Sequence, residues 1–201
     1  MKHFSEISLT AERVVDAGEF LIRERGYNGF SYDDVAQIVG IKKPSIHHHF
    51  PTKSELALVI VQRYTHRFKE SLLEIEKKFA KAPDRLLAYA GLFEKTYLMN
   101  RQLCVCGMLG AEASSLPENI NHEVGRFFKV NIDWLLEIIQ DGQRLGLLTT
   151  SVSPQDMAEM MLAALEGSMV VGRGMMTHIG PAKTAENLLK VLIATMTMPQ
   201  V

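Results

Sequence analysis

Between Gly40 and Lys53 the chain carries three lysines, three histidines and no carboxylate. Three imidazoles in a row suggest a metal. Successive helical residues, however, point about 100° apart, so His47, His48 and His49 do not converge on one ion. Anion binding fits the same residues better. Lys42, Lys43, Ser45, His47, His48 and His49 offer positive charge and hydrogen-bond donors around a short helix, and Lys53 stands at the start of the next one, where free backbone N–H groups add to a lysine. A plainer reading has His48 partly packed and His47 and His49 merely solvated.

The other reactive side chains point to less. Cys104 and Cys106 are two residues apart, a spacing at which a bridge would be strained, so a reduced thiol pair in a cytoplasmic setting is expected. A lone CxC is also a poor zinc site. Cys104 is a candidate reactive thiol with Arg101 as the nearby positive charge, while two small buried hydrophobes is the simpler alternative. Cys104, Glu112, His122 and His178 form no known catalytic constellation, and no phosphate-binding glycine loop is present. The expectation is therefore no enzyme, no cofactor and no metal.

Composition sets the frame. At 201 residues, 47% hydrophobic and 22% charged, with a net charge of −1, the chain suits one sizeable core, or a small module joined to a larger one. Such a charge excludes a protein that coats polyanions but permits a focused basic patch. The opening "MKHFSEISLTAERV" lacks the character of a signal peptide. The apolar stretch 157–172 is interrupted by Glu159 and Glu166 and is too short to span a bilayer. No membrane partner is expected.

Helical patterning runs along the whole chain. Val14, Val15, Ala17, Phe20, Leu21 and Ile22 form a stripe over 10–25 that ends at Gly26. Ser31 caps a short second helix with Asp33 and Asp34 in its first turn. A third short helix begins at about Lys43 or Pro44. Thr52 and Glu55 open a long fourth helix as a capping box. Further helices are expected from Pro83 to Asn100, around 106–114, from 117 to 145, from Pro154 to about Thr177, and from Pro181 to about Met198. Short helix, glycine turn and short helix make the outline of a helix-turn-helix. In it Val35, Ala36, Ile38 and Ile41 supply a small core, Gly40 permits the left-handed turn, and Ile46 and Phe50 anchor the second helix inward.

The stretch "GYNGFSYDDVAQIVGIKKPSIHHHFPTKSELALVIV" resembles the DNA-binding signature of the TetR family of bacterial transcriptional regulators. Gly26-Tyr27, Val35-Ala36, Gly40-Ile41, Ser45, His48, Phe50 and Lys53 match in order and spacing. His47 and His49 stand where the family usually has tyrosines, Lys42 where it has a small cap residue, and Pro44 where a glycine is common. The resemblance implies an all-α fold of about nine helices. A three-helix helix-turn-helix domain, residues 1–53, would be joined through the long helix to a helical ligand-binding and dimerisation domain, residues 54–201. It implies a sequence-specific DNA-binding regulator, most often a repressor, released from a palindromic operator by a small effector. A thiol sensor using Cys104 is the alternative within the same family.

By the same resemblance Lys53 grips a backbone phosphate, His47 replaces a tyrosine that touches the backbone, and Lys43 and Ser45 lie near base edges. The effector pocket is expected from Phe93 and Tyr97 (with Tyr89 on the same face), Cys104, Met108, Phe127, Asn131 and Trp134, and from Met161, Leu165 and Met169 beside Met157 and Met160. Methionine and aromatic groups suit an apolar or aromatic ligand, although each residue singly also reads as ordinary core. The helix around 108–114 would pass the signal to the long fourth helix. A homodimer is expected, because a palindrome needs two reading heads. Its interface would use Ala158, Leu162, Leu165 and Met169, with Gly167 and Gly172, and then Leu188, Leu189, Leu192, Ile193 and Met196.

Overall fold

The structure, a computed structural model, describes residues 7–149, 151–177 and 180–194. Among these it holds nine α-helices and no strand: α1 Leu9–Arg25, α2 Tyr32–Val39, α3 Lys43–His49, α4 Lys53–Lys78, α5 Ala82–Leu98, α6 Val105–Ala111, α7 Glu118–Arg144, α8 Pro154–Met175 and α9 Pro181–Ala194. A 3-10 turn, Ala113–Ser115, follows α6. The helix starts follow local chemistry. Ser8 accepts from Ala11 N, and Ser31 and Asp34 close a reciprocal capping box. Thr52 Oγ1 accepts from Glu55 N at 3.2 Å, and Ser153 Oγ from Asp156 N at 3.1 Å. The chain divides into two compact units, one of residues 1–68 and 104–128, the other of 69–103 and 129–201.

In the first unit α1, α2 and α3 pack on one another, and α6 packs on α1. Gly18 lets α4 come close to α1, since a Cβ there would lie 2.8 Å from Ile60 Cδ1. Val14, Val15, Leu21, Ile22, Val35, Ile46, Leu56 and Ile60 are all buried. Into this apolar setting α1 also carries Glu19, only 5% exposed. Its carboxylate is met by Arg23 at 2.9 Å, Arg63 at 3.0 Å and Arg67, and Arg63 also reaches Asp16 at 2.7 Å. Further along, Tyr64, Phe68 and Phe127 form an aromatic cluster with centroids 5.1 to 6.0 Å apart.

Two expected core side chains face out instead. Phe20 is 47% and Ile38 50% exposed. On α2 the inward face is Tyr32, Val35 and Val39, spaced i, i+3, i+7, which turns position 38 away from α1. Phe20 and Ile38 border the same shallow depression beside Arg13, Asp16, Ala17 and Val39.

In the second unit α9 packs on α5 and α8, and α5 on α8. Arg85 Nε donates to Phe79 O at 2.8 Å and ties the α4–α5 turn. Tyr89, fully buried, donates from its hydroxyl to Asn131 Oδ1 at 2.8 Å and stacks on Trp134 with centroids 5.4 Å apart. Trp134 Nε1–H in turn donates to Glu76 at 2.6 Å. Glu94 accepts from Ala182 N at 3.0 Å, satisfying one free donor at the start of α9.

Most of the residues expected to meet a partner copy are core, while Gly167 and Leu188 are half-exposed. Leu162, Leu165, Met169, Leu189 and Leu192 are all buried within the protomer, and Met196 lies outside the described residues. On α8 they form the face turned toward the unit's own interior. The apolar side chains left exposed are Met160, Val170, Val171 and Met175 on α8 and Val191 on α9. Met160, Ala163, Gly167, Val170 and Gly174 follow one another at spacings of three and four, an unbroken helical stripe of apolar or small residues. No helix among the described residues is long and apolar enough to cross a membrane.

Glu19 is the buried charge on which the α1–α4 contact turns. Glu19→Ala leaves two largely buried guanidiniums without their shared carboxylate and is expected to cost about 3–5 kcal/mol. A urea melt would show this as a lowered midpoint, and an unchanged midpoint would remove Glu19 from the fold's essential contacts.

Candidate nucleic-acid interface and effector region

Gly40 produces the turn between α2 and α3, with φ 74° and ψ 35°, and its N–H closes on Ala36 O. A left-handed residue here lets α3 leave α2 sharply. Pro44 in the first turn of α3 suits a helix start, while Lys42, at the cap position, makes no side-chain cap bond. Ile46 and Phe50 are buried as expected. Tyr32 reaches across from α2, and its hydroxyl donates to Phe50 O at 2.8 Å. Burial raises the Tyr32 phenol, helped by Glu55 and Tyr27, so it remains a donor.

With Ile46 inward, Lys42, Lys43, Ser45, His47 and His48 stand exposed on α3 and His49 is half-exposed. The reading in which His48 is partly packed does not hold. Lys43 pairs with Asp33 at 2.8 Å, both side chains being well exposed. His47 sits edge-on to Tyr32 with centroids 4.8 Å apart, and its Nδ1 lies 3.2 Å from Pro51 O. His48 and His49 stand edge to face at 5.4 Å. No group of three or more metal-ligating side chains gathers among the described residues. This surface can donate hydrogen bonds and present positive charge.

Lys53 is placed differently from a lysine held out to solvent. Its ammonium donates to Phe30 O and lies 4.7 Å from the Tyr27 ring centroid and 4.2 Å from that of Phe30. Burial pulls it below the ordinary lysine value, and Glu112 and Asp34 pull the other way. Lys53 therefore braces the turn between α1 and α2.

The same turn is held from a second side by a residue that was not among the expected site residues. Glu112, just past α6, accepts from Tyr27 N, Asn28 N and Asn28 Nδ2. Asn28 Nδ2 also donates to Ser115 Oγ at 2.9 Å. Gly26 has φ 76° and ψ 179°, and a Cβ on it would lie 2.6 Å from Glu112 Oε2. The sequence signal was present in the glycine of "RERGYNG", but its carboxylate partner lies 86 positions further on.

Residues expected around an effector separate into the two units. Phe93, Tyr97, Asn131, Trp134, Met161, Leu165 and Met169 belong to the second and are buried there. Cys104, Met108 and Phe127 belong to the first, where Cys104 and Phe127 are buried and Met108 is half-buried. Met160, expected beside them, is exposed. Tyr64 OH lies 3.5 Å from Cys104 Sγ as donor. The second unit also has a surface depression of about 330 Å³ bounded by Glu94, Tyr97, Leu98, Asn100, Arg101 and Thr177. Asn100 and Arg101 have φ of 59° and 55°, left-handed values that are uncommon for residues with a Cβ.

Residues 14–60 match the family model described as bacterial regulatory proteins, tetR family. A crystal structure of a TetR-family transcriptional regulator from Agrobacterium tumefaciens is 32% identical, covers 93% of this chain with 95% of its own, and superposes with a TM-score of 0.80. The reduced form of NemR from Escherichia coli is 24% identical over 96% of this chain and 99% of its own, with a TM-score of 0.79. The transcriptional repressor DhaR of Mycobacterium sp. strain GP1 is 22% identical over 161 residues, 79% of this chain and 80% of the repressor.

The two turn glycines differ in a way that can be measured. Gly26 has a backbone conformation essentially confined to glycine, and Gly26→Ala is expected to cost about 1–3 kcal/mol in strain alone, before the clash with Glu112. Gly40 has open space where a Cβ would stand, so Gly40→Ala is expected to cost only the left-handed penalty of about 1–2 kcal/mol. Parallel denaturant melts test the order, and equal costs would refute the tight approach of Glu112 to Gly26.

Proposed function

The chain belongs to the TetR family of bacterial transcriptional regulators, and on that premise we propose that it is a repressor released from a palindromic operator by a small, largely apolar or aromatic effector. DNA binding by a helix-turn-helix is the family's activity, and the observation that carries it here is the exposed, carboxylate-free surface of α3 set behind the Gly40 turn. Lys43 and Ser45 are assigned to base edges, and Lys42, His47, His48 and His49 to the outer surface of the same helix. Phosphate contacts would set register and salt dependence, and base contacts would set sequence choice. Lys53 serves this interface by bracing the α1–α2 turn, and a phosphate contact would draw it away from Phe30 O. By role, residues 1–53 read DNA and 54–201 bind effector and partner.

The effector is assigned to the second unit, where Phe93, Tyr97, Trp134 and the α8 methionines supply apolar surface and Asn131 a polar group. The depression at Arg101 fits the expected mouth. Coupling runs through Glu112, because its carboxylate holds the turn on which α2 and α3 depend, and an effector must favour one state of such an element to act at all. Thiol sensing through Cys104 is disfavoured, since both cysteines are buried and buried structural thiols are inert. An enzyme reading has no support either: Glu112 is engaged at the turn and His122 is exposed, 3.9 Å from Glu123.

Dimerisation is assigned to the exposed stripe on α8, with Val191 on α9. Glycine at 167 and 174 leaves open space beside the helix, which suits close approach of a second copy. Val191→Glu is therefore expected to yield monomers that keep their helical content, whereas Leu192→Glu buries a charge in the core and should unfold the chain. Sedimentation and circular dichroism distinguish the two, and a Val191→Glu dimer of unaltered stability would place the interface elsewhere.

The function itself is tested by binding to the DNA upstream of the protein's own gene. Affinity is expected to fall steeply with salt. Lys43→Ala is expected to relax sequence preference at one position by about 1–3 kcal/mol. A uniform loss over all sequences would place Lys43 on the backbone, and no binding at low salt would reject the regulator reading.

A further inference from the structure

We propose that His47 makes DNA binding by this protein proton-linked: its outer ring nitrogen donates to a DNA phosphate only when the imidazole carries a second proton, so each reading head takes up a proton as it binds. The inference rests on the regulator reading above and adds to it a dependence on pH.

One nitrogen of the His47 ring already holds a proton. His47 Nδ1 lies 3.2 Å from Pro51 O. A carbonyl oxygen can only accept, so Nδ1 is the donor, and the neutral ring is fixed as the Nδ1–H tautomer. The ring is also held edge-on against Tyr32 at 4.8 Å, so its direction is set from two sides. Nε2, on the opposite edge of an exposed residue, is then the nitrogen left with a lone pair. A lone pair facing a phosphate oxygen repels it. The same nitrogen protonated becomes a charge-assisted donor with a full positive charge on the ring.

The surrounding charges suit a group that changes state. Tyr32 is the titratable group of α2 that faces the ring, and it stays neutral. Glu55, in the first turn of α4, acts on that same Tyr32 and borders the groove that holds His48 and His49. One turn earlier on α3 the cation of Lys43 is paired with Asp33. His48 is exposed next in sequence and stands edge to face against His49, whereas the backbone anchor at Pro51 O belongs to His47. His47 is thus the imidazole of the three whose tautomer and direction are both fixed.

The sign follows from linkage. DNA stabilises the doubly protonated ring, so binding takes up a proton and affinity is strongest at low pH. Affinity then declines as pH rises and the proton becomes costlier to supply. One proton per reading head limits the decline to about tenfold per pH unit per head.

Because phosphate contacts do not depend on sequence, the test needs no known operator. The full-length protein is titrated with a fluorescent random-sequence duplex of roughly three helical turns, at fixed low ionic strength, between about pH 6 and pH 8. Wild type is expected to weaken at least several-fold across this range. His47→Gln, which keeps a neutral donor, and His47→Tyr should bind with little pH dependence, while His48→Gln keeps the wild-type slope. Calorimetry at the lower pH in two buffers of different ionisation enthalpy should show proton uptake in wild type and none in His47→Gln. Binding that is independent of pH in wild type, or a slope that survives in His47→Gln, or one lost in His48→Gln instead, overturns the proposal. Failure to bind any duplex at any pH is a different result, because it overturns the regulator reading on which the proposal stands.

Discussion

The exposed surface of α3 depends on a five-residue turn, 26–30, that is held by charge from two directions. The Glu112 carboxylate takes the backbone N–H groups of Tyr27 and Asn28, and the Lys53 ammonium takes the Phe30 carbonyl while resting on the Tyr27 and Phe30 rings. A carboxylate on free N–H groups and an ammonium on a carbonyl are the two favourable pairings for an irregular backbone. Ser31 caps α2 directly after this turn, so its geometry sets the direction of α2. The Gly40 turn and the Tyr32–Phe50 hydrogen bond then set α3 relative to α2. The recognition surface is positioned by backbone chemistry three steps removed from the residues that would touch DNA.

Much of this was legible in the sequence because it is local. Ser31 with Asp34, Gly26, Gly40, Thr52 and Ser153 mark helix ends through contacts within three or four residues, and the structure places the ends there. Ile46 and Phe50 were legible as inward anchors of α3 because helical spacing leaves them a common face. The failures share one cause. Phe20 and Ile38 are large and apolar, so they read as core, yet which of two adjacent apolar residues turns inward is decided by the neighbouring helix. The same holds for Leu162, Leu165 and Leu189: an all-apolar helix does not say which face meets its own core and which remains outside.

The long-range polar contacts were not legible at all. Glu19 reads as a surface glutamate in an amphipathic helix, and the approach of Arg63 and Arg67 from α4, beside Arg23 on α1, makes its burial tolerable. Glu112 reads as an acid after a short helix, and only the fold brings it to residue 27. The Tyr89–Asn131 and Trp134–Glu76 pairs are similar: an aromatic residue announces burial, but its polar tip finds a partner that spacing cannot name. Thus the exposed residues of α3 were visible as a type and an order, while the groups that hold them were visible only in three dimensions.

The segment assigned to DNA reading is not a cassette. Its packing unit is completed by residues 104–128, including α6 and the carboxylate at the α1–α2 turn, and by the part of α4 through Phe68. A chimera that joins residues 1–53 of this chain to another regulator's body would carry Gly26 and its free N–H groups to a place with no Glu112, and would leave the inner faces of α1 without Leu56 and Ile60. Transplanting this protein's sequence preference therefore requires grafting the exposed residues of α3 onto a resident headpiece, whereas exchanging the headpiece itself severs contacts that hold it together.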